Sequence, residues 1–366
     1  MADRSSDVTR EPTQVDVLVI GAGQGGLAAA RALHAVGLQC LVYERHARIG
    51  DSWRRRFNSL TLFSSREVSS LPDLPHTGNP SGYPGKNEMG DYLERYAEDL
   101  HVPVITGEGI ARLTTGPGGF QALTDAGATV EARCVIVATG GFQRPRVPDF
   151  AECFSGRLRQ LDALSYRNPA AVPERDVIVV GDGATGRQIA LELAQNRRVT
   201  LATGGRRYYG PQRILGKDFT WWGWQTGLIT ADKASPLGRI VRRFDATPGL
   251  HLCLFSLRRA NVRLAPRCVG VDADRLLFAD GSRLRCDAVI WALGYQDETA
   301  WLEIDGAATP HGFTEERGIS PIPGLYYVGR EWQNARASGL VCGVHRDSLN
   351  VAQLAKGHLA STSKST

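Results

Sequence analysis

Two stretches of this chain repeat a single pattern, and that repetition limits the folds open to it more than any other feature does. Val15 to Glu44 reads VDVLVIGAGQGGLAAARALHAVGLQCLVYE, and Asp176 to Thr203 reads DVIVVGDGATGRQIALELAQNRRVTLAT. In each, an apolar run predicts a buried parallel strand, a GxGxxG turn follows, and a helix and second strand come after it. The glycines have separate tasks. Gly21 and Gly181 make the tight turn, Gly23 and Gly183 let backbone amides approach a pyrophosphate, and Gly26 and Gly186 let helix and strand pack closely. The helix N-terminus then favours negative charge. In the first unit Glu44 closes the second strand, where a carboxylate accepts from adenosine ribose hydroxyls and disfavours a 2′-phosphate. No acid stands at the corresponding strand end of the second unit, which leans toward NADPH.

Either glycine motif alone is weak; strand, turn, helix and strand occurring twice in one order is specific. The strand ends VATGGF at 137–142 and WALGYQ at 291–296 also match each other. The expected fold class is α/β, with two Rossmann-like dinucleotide-binding domains, the second inserted in the first. Residues 15–166 and 287–360 are expected to form the first domain and residues 167–286 the second, with 1–14 a flexible N-terminus and 361–366 a flexible tail. Between the units, Lys86 to Leu100 has apolar residues at helical spacing. Val102 to Thr124 reads as strands, Gly204 to Trp224 as a loop-like stretch, Ser256 to Asp287 as strands and turns, and Ser338 to Leu354 as a helix.

Composition narrows the function. The 366 residues are 42% hydrophobic and 22% charged, which suits globular domains with sizeable cores, and a net charge of +5 is modest. The arginines are scattered apart from Arg54–Arg56 and Arg206–Arg207, so no nucleic-acid partner is expected. The seven cysteines are spread singly without a CxxC pair, which suggests neither a redox dithiol nor a zinc clip. The histidines lack HxH or HxxxH spacing, so no metal site is expected. No signal pattern and no long apolar run appears, so a cytoplasmic setting without a membrane span is expected.

Certain segments are similar to those of flavin-containing monooxygenases of the two-dinucleotide-binding-domain flavoprotein superfamily, of the short bacterial type. They are GAGQGG at 21, YERHARIGDSW at 43–53 with FNSLTLFS after it, YPGKNEMGDYLERYAEDL at 83–100, VATG at 137, VVGDGATGRQIA at 179, WALGYQ at 291 and PGLYYVGREWQNARASGLVCGV at 323. The resemblance implies FAD on the first unit, NADPH or alternatively NADH on the second, and molecular oxygen as co-substrate. For FAD it implies Gly21, Gly23, Gln24, Gly26, Glu44, Arg45, Gly50, Ser52, Trp53, Ile110, Ala138, Thr139, Gly140 and Gln333. For the nicotinamide nucleotide it implies Gly181, Gly183, Ala184, Thr185 and Gly186, with Arg206 and Arg207 open to a 2′-phosphate or simply solvated. Trp53 reads equally as flavin wall or as an aromatic plug. The implied chemistry is reduction of FAD, formation of a C4a-(hydro)peroxyflavin, and insertion of one oxygen atom into a small organic substrate by N- or S-oxygenation or Baeyer-Villiger attack. No individual catalytic side chain is assigned.

Three departures from the family pattern keep other outcomes open. Gln160 stands where the FxGxxxHxxx(Y/F/W) signature has His, with Leu164 at its aromatic position and Tyr166 as a substitute. Phe63 falls where the family has a flavin-facing Asn, and Gly204 where it has an Arg. An NAD(P)H oxidase releasing hydrogen peroxide and an electron-transfer reductase are therefore the alternatives. The Trp221-Trp222-Gly223-Trp224 cluster can wall an aromatic-substrate pocket or serve as core, and a homodimer is an ordinary expectation for assembly.

Overall fold

The computed structural model describes residues 12–154, 158–205 and 207–362. The first glycine unit folds as its pattern requires. Strand β1, Thr13–Ile20, buries its second half completely, helix α1 spans Gln24–Ala35, and β2 spans Cys40–Glu44. Thr13 and Gln14, read as part of a flexible end, already belong to β1; residues 1–11 lie outside the described residues. Beyond the one-turn helix α2, Asp51–Arg54, lies a long turn-rich excursion that ends in α3, Lys86–Leu100, as the helical spacing predicts. The strands β3 Val104–Thr106, β4 Ile110–Gly116, β5 Gly119–Thr124 and β6 Thr129–Val137 follow.

These strands form one sheet in the order β3-β2-β1-β6-β5-β4. β1 runs parallel to β2 and β6, whereas β5 covers only the first half of β6's other edge. Leu325–Tyr327 takes the second half, pairing parallel with Val135–Val137. The C-terminal chain thus returns to the first unit. A core of Leu27, Leu33, Met89, Leu93, Val344 and Val351 seals one face of this sheet, and Leu18, Leu113, Phe120 and Tyr327 seal the other. Each such residue stabilises the fold by roughly 1.5–3 kcal/mol.

The second unit forms a separate five-stranded sheet. Its centre is Asp176–Val180, with Arg198–Ala202 on one side and Ala288–Trp291 on the other, all parallel. Its edges are Arg263–Ala265 and Arg159–Asp162. Arg159–Asp162 and Ala288–Trp291 had been expected in the first unit. They pair here because the WALG strand end must abut the Gly181 turn as VATG abuts the Gly21 turn: Ala292 donates to Val180, and Ala138 donates to Ile20.

Three smaller expectations also change. Gly204–Trp224 is more ordered than a loop, since short strand pairs lead into a helix at Phe219–Gln225 capped by the Asp218 carboxylate. Leu254–Arg259 is helical. The C-terminal helix begins only at Val344, after a 3-10 turn at Arg336–Gly339, because the Ser338 hydroxyl accepts from the Asn334 and Ala335 amides and holds a turn there. That helix reaches Thr362, so Ser361 and Thr362 are part of it; residues 363–366 lie outside the described residues. No described helix is long and apolar enough to cross a membrane.

Candidate dinucleotide sites and substrate cavity

Both glycine turns have the same close-packed geometry. A Cβ on Gly26 would lie 1.7 Å from the Gly21 carbonyl oxygen, and one on Gly186 would lie 1.9 Å from that of Gly181. Gly21 and Gly181 sit at φ of 102° and 111°, where a side chain is strained, and each presses on the neighbouring strand end at Ala138 or Ala292. Gly23 and Gly183 differ from these four. A Cβ on either meets nothing within 4 Å. Each is also the N-cap of its helix and supplies no side-chain hydrogen bond. An open cradle beside an uncapped helix N-terminus fits a pyrophosphate, which would satisfy the unpaired amides.

At the ribose corner the two units diverge. In the first, Glu44 is buried at the end of β2; one carboxylate oxygen accepts from the Ala22 amide at 2.9 Å and the other from the His46 amide at 3.0 Å and ring at 2.6 Å. Burial alone would raise the Glu44 carboxyl, but the His46 and Ala22 bonds outweigh it and hold the group below its ordinary value. In the second unit the same bridge runs in reverse. The acid is Asp182, inside the glycine turn, and it accepts from the Gly204 amide past the second strand at 3.1 Å. Its other oxygen accepts from Arg187 at 3.1 Å, both side chains being 3% exposed. The Arg207 Nε lies 3.5 Å from Asp182, while its side chain stays 53% exposed. One unit turns an acid to its ribose corner; the other turns its acid inward and leaves a cation outside.

The remaining expected residues distribute around these turns. Gln24 donates to the Gly339 carbonyl at 3.3 Å, tying α1 to the C-terminal segment. Arg45 is exposed at the end of β2, and Ile110 is buried at the start of β4. Gly50 has a φ of 84° and packs where a Cβ would lie 2.4 Å from the Gly90 carbonyl oxygen, so only glycine lets this turn rest on α3. Ser52 is exposed, while Trp53 packs half-buried against the first core. Ala138 is buried, and Thr139 and Gly140 both accept from the Gln143 amide. Gln333 spends its side chain within its own turn, donating to Tyr327 at 2.9 Å and accepting from the Arg330 amide at 3.3 Å. Ala184 and Thr185 open the second helix. Arg206 lies outside the described residues.

The departing signature positions are structural. Gln160 donates to Ala151 and accepts from the Trp291 indole, both at 2.9 Å, and Tyr166 is fully buried with its hydroxyl on Glu192. Ser155, Gly156 and Arg157 of that segment lie outside the described residues. No described group of His, Cys, Asp and Glu could hold a metal ion.

A cavity of about 340 Å³ opens between the excursion after α2, the Phe219–Gln225 helix and the start of the C-terminal helix. Trp221, Trp224, Leu71, Glu67, Cys342 and His345 line it. Glu67 is neutralised by Lys217 at 3.1 Å, burial pushes the His345 ring down from its ordinary value, and burial pushes the Cys342 thiol up to about 12. The lining is therefore close to uncharged. Trp222 lies outside it, its indole donating to Ile214 at 2.8 Å.

Residues 18–211 match the family model for pyridine nucleotide-disulphide oxidoreductases. The uncharacterized oxidoreductase CzcO-like of Geobacillus kaustophilus is 37% identical across 91% of this chain and 96% of its own length. The flavin-containing monooxygenase from Stenotrophomonas maltophilia superposes with a TM-score of 0.80 at 25% identity, over 95% of this chain and 99% of that one. The chain belongs to the flavin-containing monooxygenase family. A monooxygenase also appears among its plant relatives: the indole-3-pyruvate monooxygenase YUCCA1 of Oryza sativa is 28% identical over 96% of this chain and 94% of its own. Membership makes the chain a flavin-dependent oxidoreductase of a family that uses FAD, NADPH and oxygen. Both open glycine cradles fit such dinucleotides.

Asp182 and Arg187 escaped the sequence reading. Their signal was present, since Asp182 stands where the first turn has Ala22, and Arg187 where the first helix has Leu27.

Proposed function

We propose that this monooxygenase holds FAD on the Gly21 turn and NADPH on the Gly181 turn, and inserts one oxygen atom into a small, uncharged organic substrate seated in the Trp221–Trp224 cavity. The observation that carries this reading is the reversed acid bridge, which suits a free ribose in the first unit and a 2′-phosphate in the second. On this reading the α1 amides and Glu44 fix the FAD pyrophosphate and adenosine ribose, and Trp53 with its core neighbours keeps water from the ring. The second helix's N-terminus takes the nicotinamide pyrophosphate, and Arg207 offers charge-assisted bonds to the 2′-phosphate. FAD, when bound, supplies hydride acceptance and oxygen activation; the protein supplies orientation and exclusion of water.

The oxygen goes to a soft nitrogen or sulfur, or beside a carbonyl. The cavity favours uncharged aromatic molecules, because Trp221 and Trp224 line it and Lys217 pairs with Glu67. The absence of any CxxC pair argues against a dithiol reductase. To test the reading, the flavin-loaded protein is incubated with NADPH, isotopically labelled oxygen gas and a panel of aromatic amines, thioethers and ketones. Labelled oxygen in an organic product, with less peroxide than in the substrate-free control, supports it. Peroxide equal to NADPH consumed under every condition assigns the protein as an oxidase instead.

A further inference from the structure

Three arginines follow Trp53, and the fold uses each differently. Arg54 is taken up by acids, with Asp91 at 2.8 Å, Glu94 at 2.7 Å and Asp51 at 3.1 Å. Arg55 is exposed. Arg56 turns to the junction between the two sheets. Its guanidinium carbon lies 4.4 Å from the Phe142 ring centre and 5.5 Å from that of Tyr295. It donates to the Tyr295 hydroxyl at 3.2 Å and to the Ser52 carbonyl at 3.3 Å. Phe142 follows the VATG strand end and Tyr295 the WALG strand end, and the two connections pair antiparallel at Arg144–Pro145 and Tyr295–Gln296.

Arg56 makes no ion pair with a carboxylate among the described residues, and the Tyr295 hydroxyl is the acidic group that acts on it. Burial pushes this guanidinium below its ordinary value. Arg56 is half-buried, and even partial withdrawal of such a charge from water is unfavourable. The two rings and the bonds to a neutral hydroxyl and carbonyl offset part of that cost without supplying a countercharge. Arg56 therefore stands short of one negative charge. It also stands between the units: Ser52 is two residues beyond the Gly50 turn, and Tyr295 is three beyond Ala292, which abuts Gly181.

We propose that Arg56 is an anion seat at the junction of the two units, filled by an anionic oxygen of a bound dinucleotide, either a phosphate of the nicotinamide nucleotide or the reduced flavin ring. This rests on the reading that both glycine turns hold dinucleotides. The contrasting role is a neutral clamp that only ties the two connections together.

The test compares flavin-loaded wild type with Arg56→Lys and Arg56→Met, reading NADP+ affinity by calorimetry and the midpoint potential of the bound flavin. A tenfold loss of NADP+ affinity in the Met variant, partly restored by Lys, at unchanged potential, places the nicotinamide phosphate on Arg56. Unchanged NADP+ affinity with a potential lowered by about 30 mV in the Met variant, a tenfold effect for two electrons, places the reduced flavin there. If neither quantity moves, or melting temperature alone falls, Arg56 is a clamp and the proposal is overturned. Should the Met variant lose its flavin, Arg56→Gln, which keeps a donor without the charge, is measured in the same way. A wild-type protein that binds no added FAD would instead sink the functional reading itself.

Discussion

At the residue scale, neighbouring glycines carry opposite demands. Gly26 faces backbone and Gly23 faces open space, so one methyl group separates folding from binding. Gly26→Ala drives a Cβ into the Gly21 carbonyl and is expected to prevent the first unit from folding, seen as loss of soluble protein and of the thermal transition. Gly23→Ala is expected to keep the wild-type melting temperature without ligand yet weaken FAD by about tenfold or more, about 1.4 kcal/mol, by calorimetry. The Asp182–Arg187 pair makes a second demand. Asp182→Ala leaves a buried guanidinium without its carboxylate and should cost about 3–5 kcal/mol in denaturant unfolding. Adding Arg187→Leu, the residue type at Leu27 in the first helix, should recover most of that loss, which would separate buried-charge cost from loop geometry.

At the element scale, the strand-turn-helix units, α3 and the Leu325–Tyr327 strand were legible in the sequence because periodicity and glycine spacing are local signals. The excursion between α2 and α3 was not, since its order comes from distant contacts. His76 stacks on Tyr92 with ring centres 3.9 Å apart, and Arg66 pairs with Glu88. Likewise Arg159–Asp162 has no local mark of which sheet it joins, and Ser338 sets a turn where spacing alone extends a helix. His76 carries a pH consequence. Burial pushes its ring down from 6.5 to about 4, so the native state holds it neutral while the unfolded chain protonates it. That stability is complete above pH 6.5 and is lost as the pH falls toward about 4. His76→Phe, which keeps the stack, should flatten the decline in melting temperature across that window. At the neighbouring helix, Asp218→Ala removes the cap from Phe219–Gln225 and should cost about 1 kcal/mol. It should also weaken aromatic-substrate binding, read as a raised KM.

At the scale of the whole molecule, two sheets each present a glycine turn, and paired connections near Phe142 and Tyr295 join them. The family and both strand, glycine-turn and helix units were readable from motifs spread along the chain. The inward-turned Asp182, the aromatic sleeve around Arg56 and the cavity walls were not, because each joins residues far apart in sequence. Acid should release FAD: the Glu44 carboxyl is held below its ordinary value, so its contribution is present above about pH 4.5 and lost as the pH falls through the depressed value. Flavin fluorescence on acidification checks this, with Glu44→Gln showing weaker FAD binding and a shallower acid limb. The most direct test of the central claim, that one unit hands electrons to the other, is anaerobic reduction of the bound flavin by NADPH and by NADH at equal concentration, followed by visible absorbance. Bleaching by NADPH is expected to be roughly tenfold faster than by NADH, with Arg207→Ala removing most of that difference. Flavin that stays oxidised with both nucleotides would contradict it.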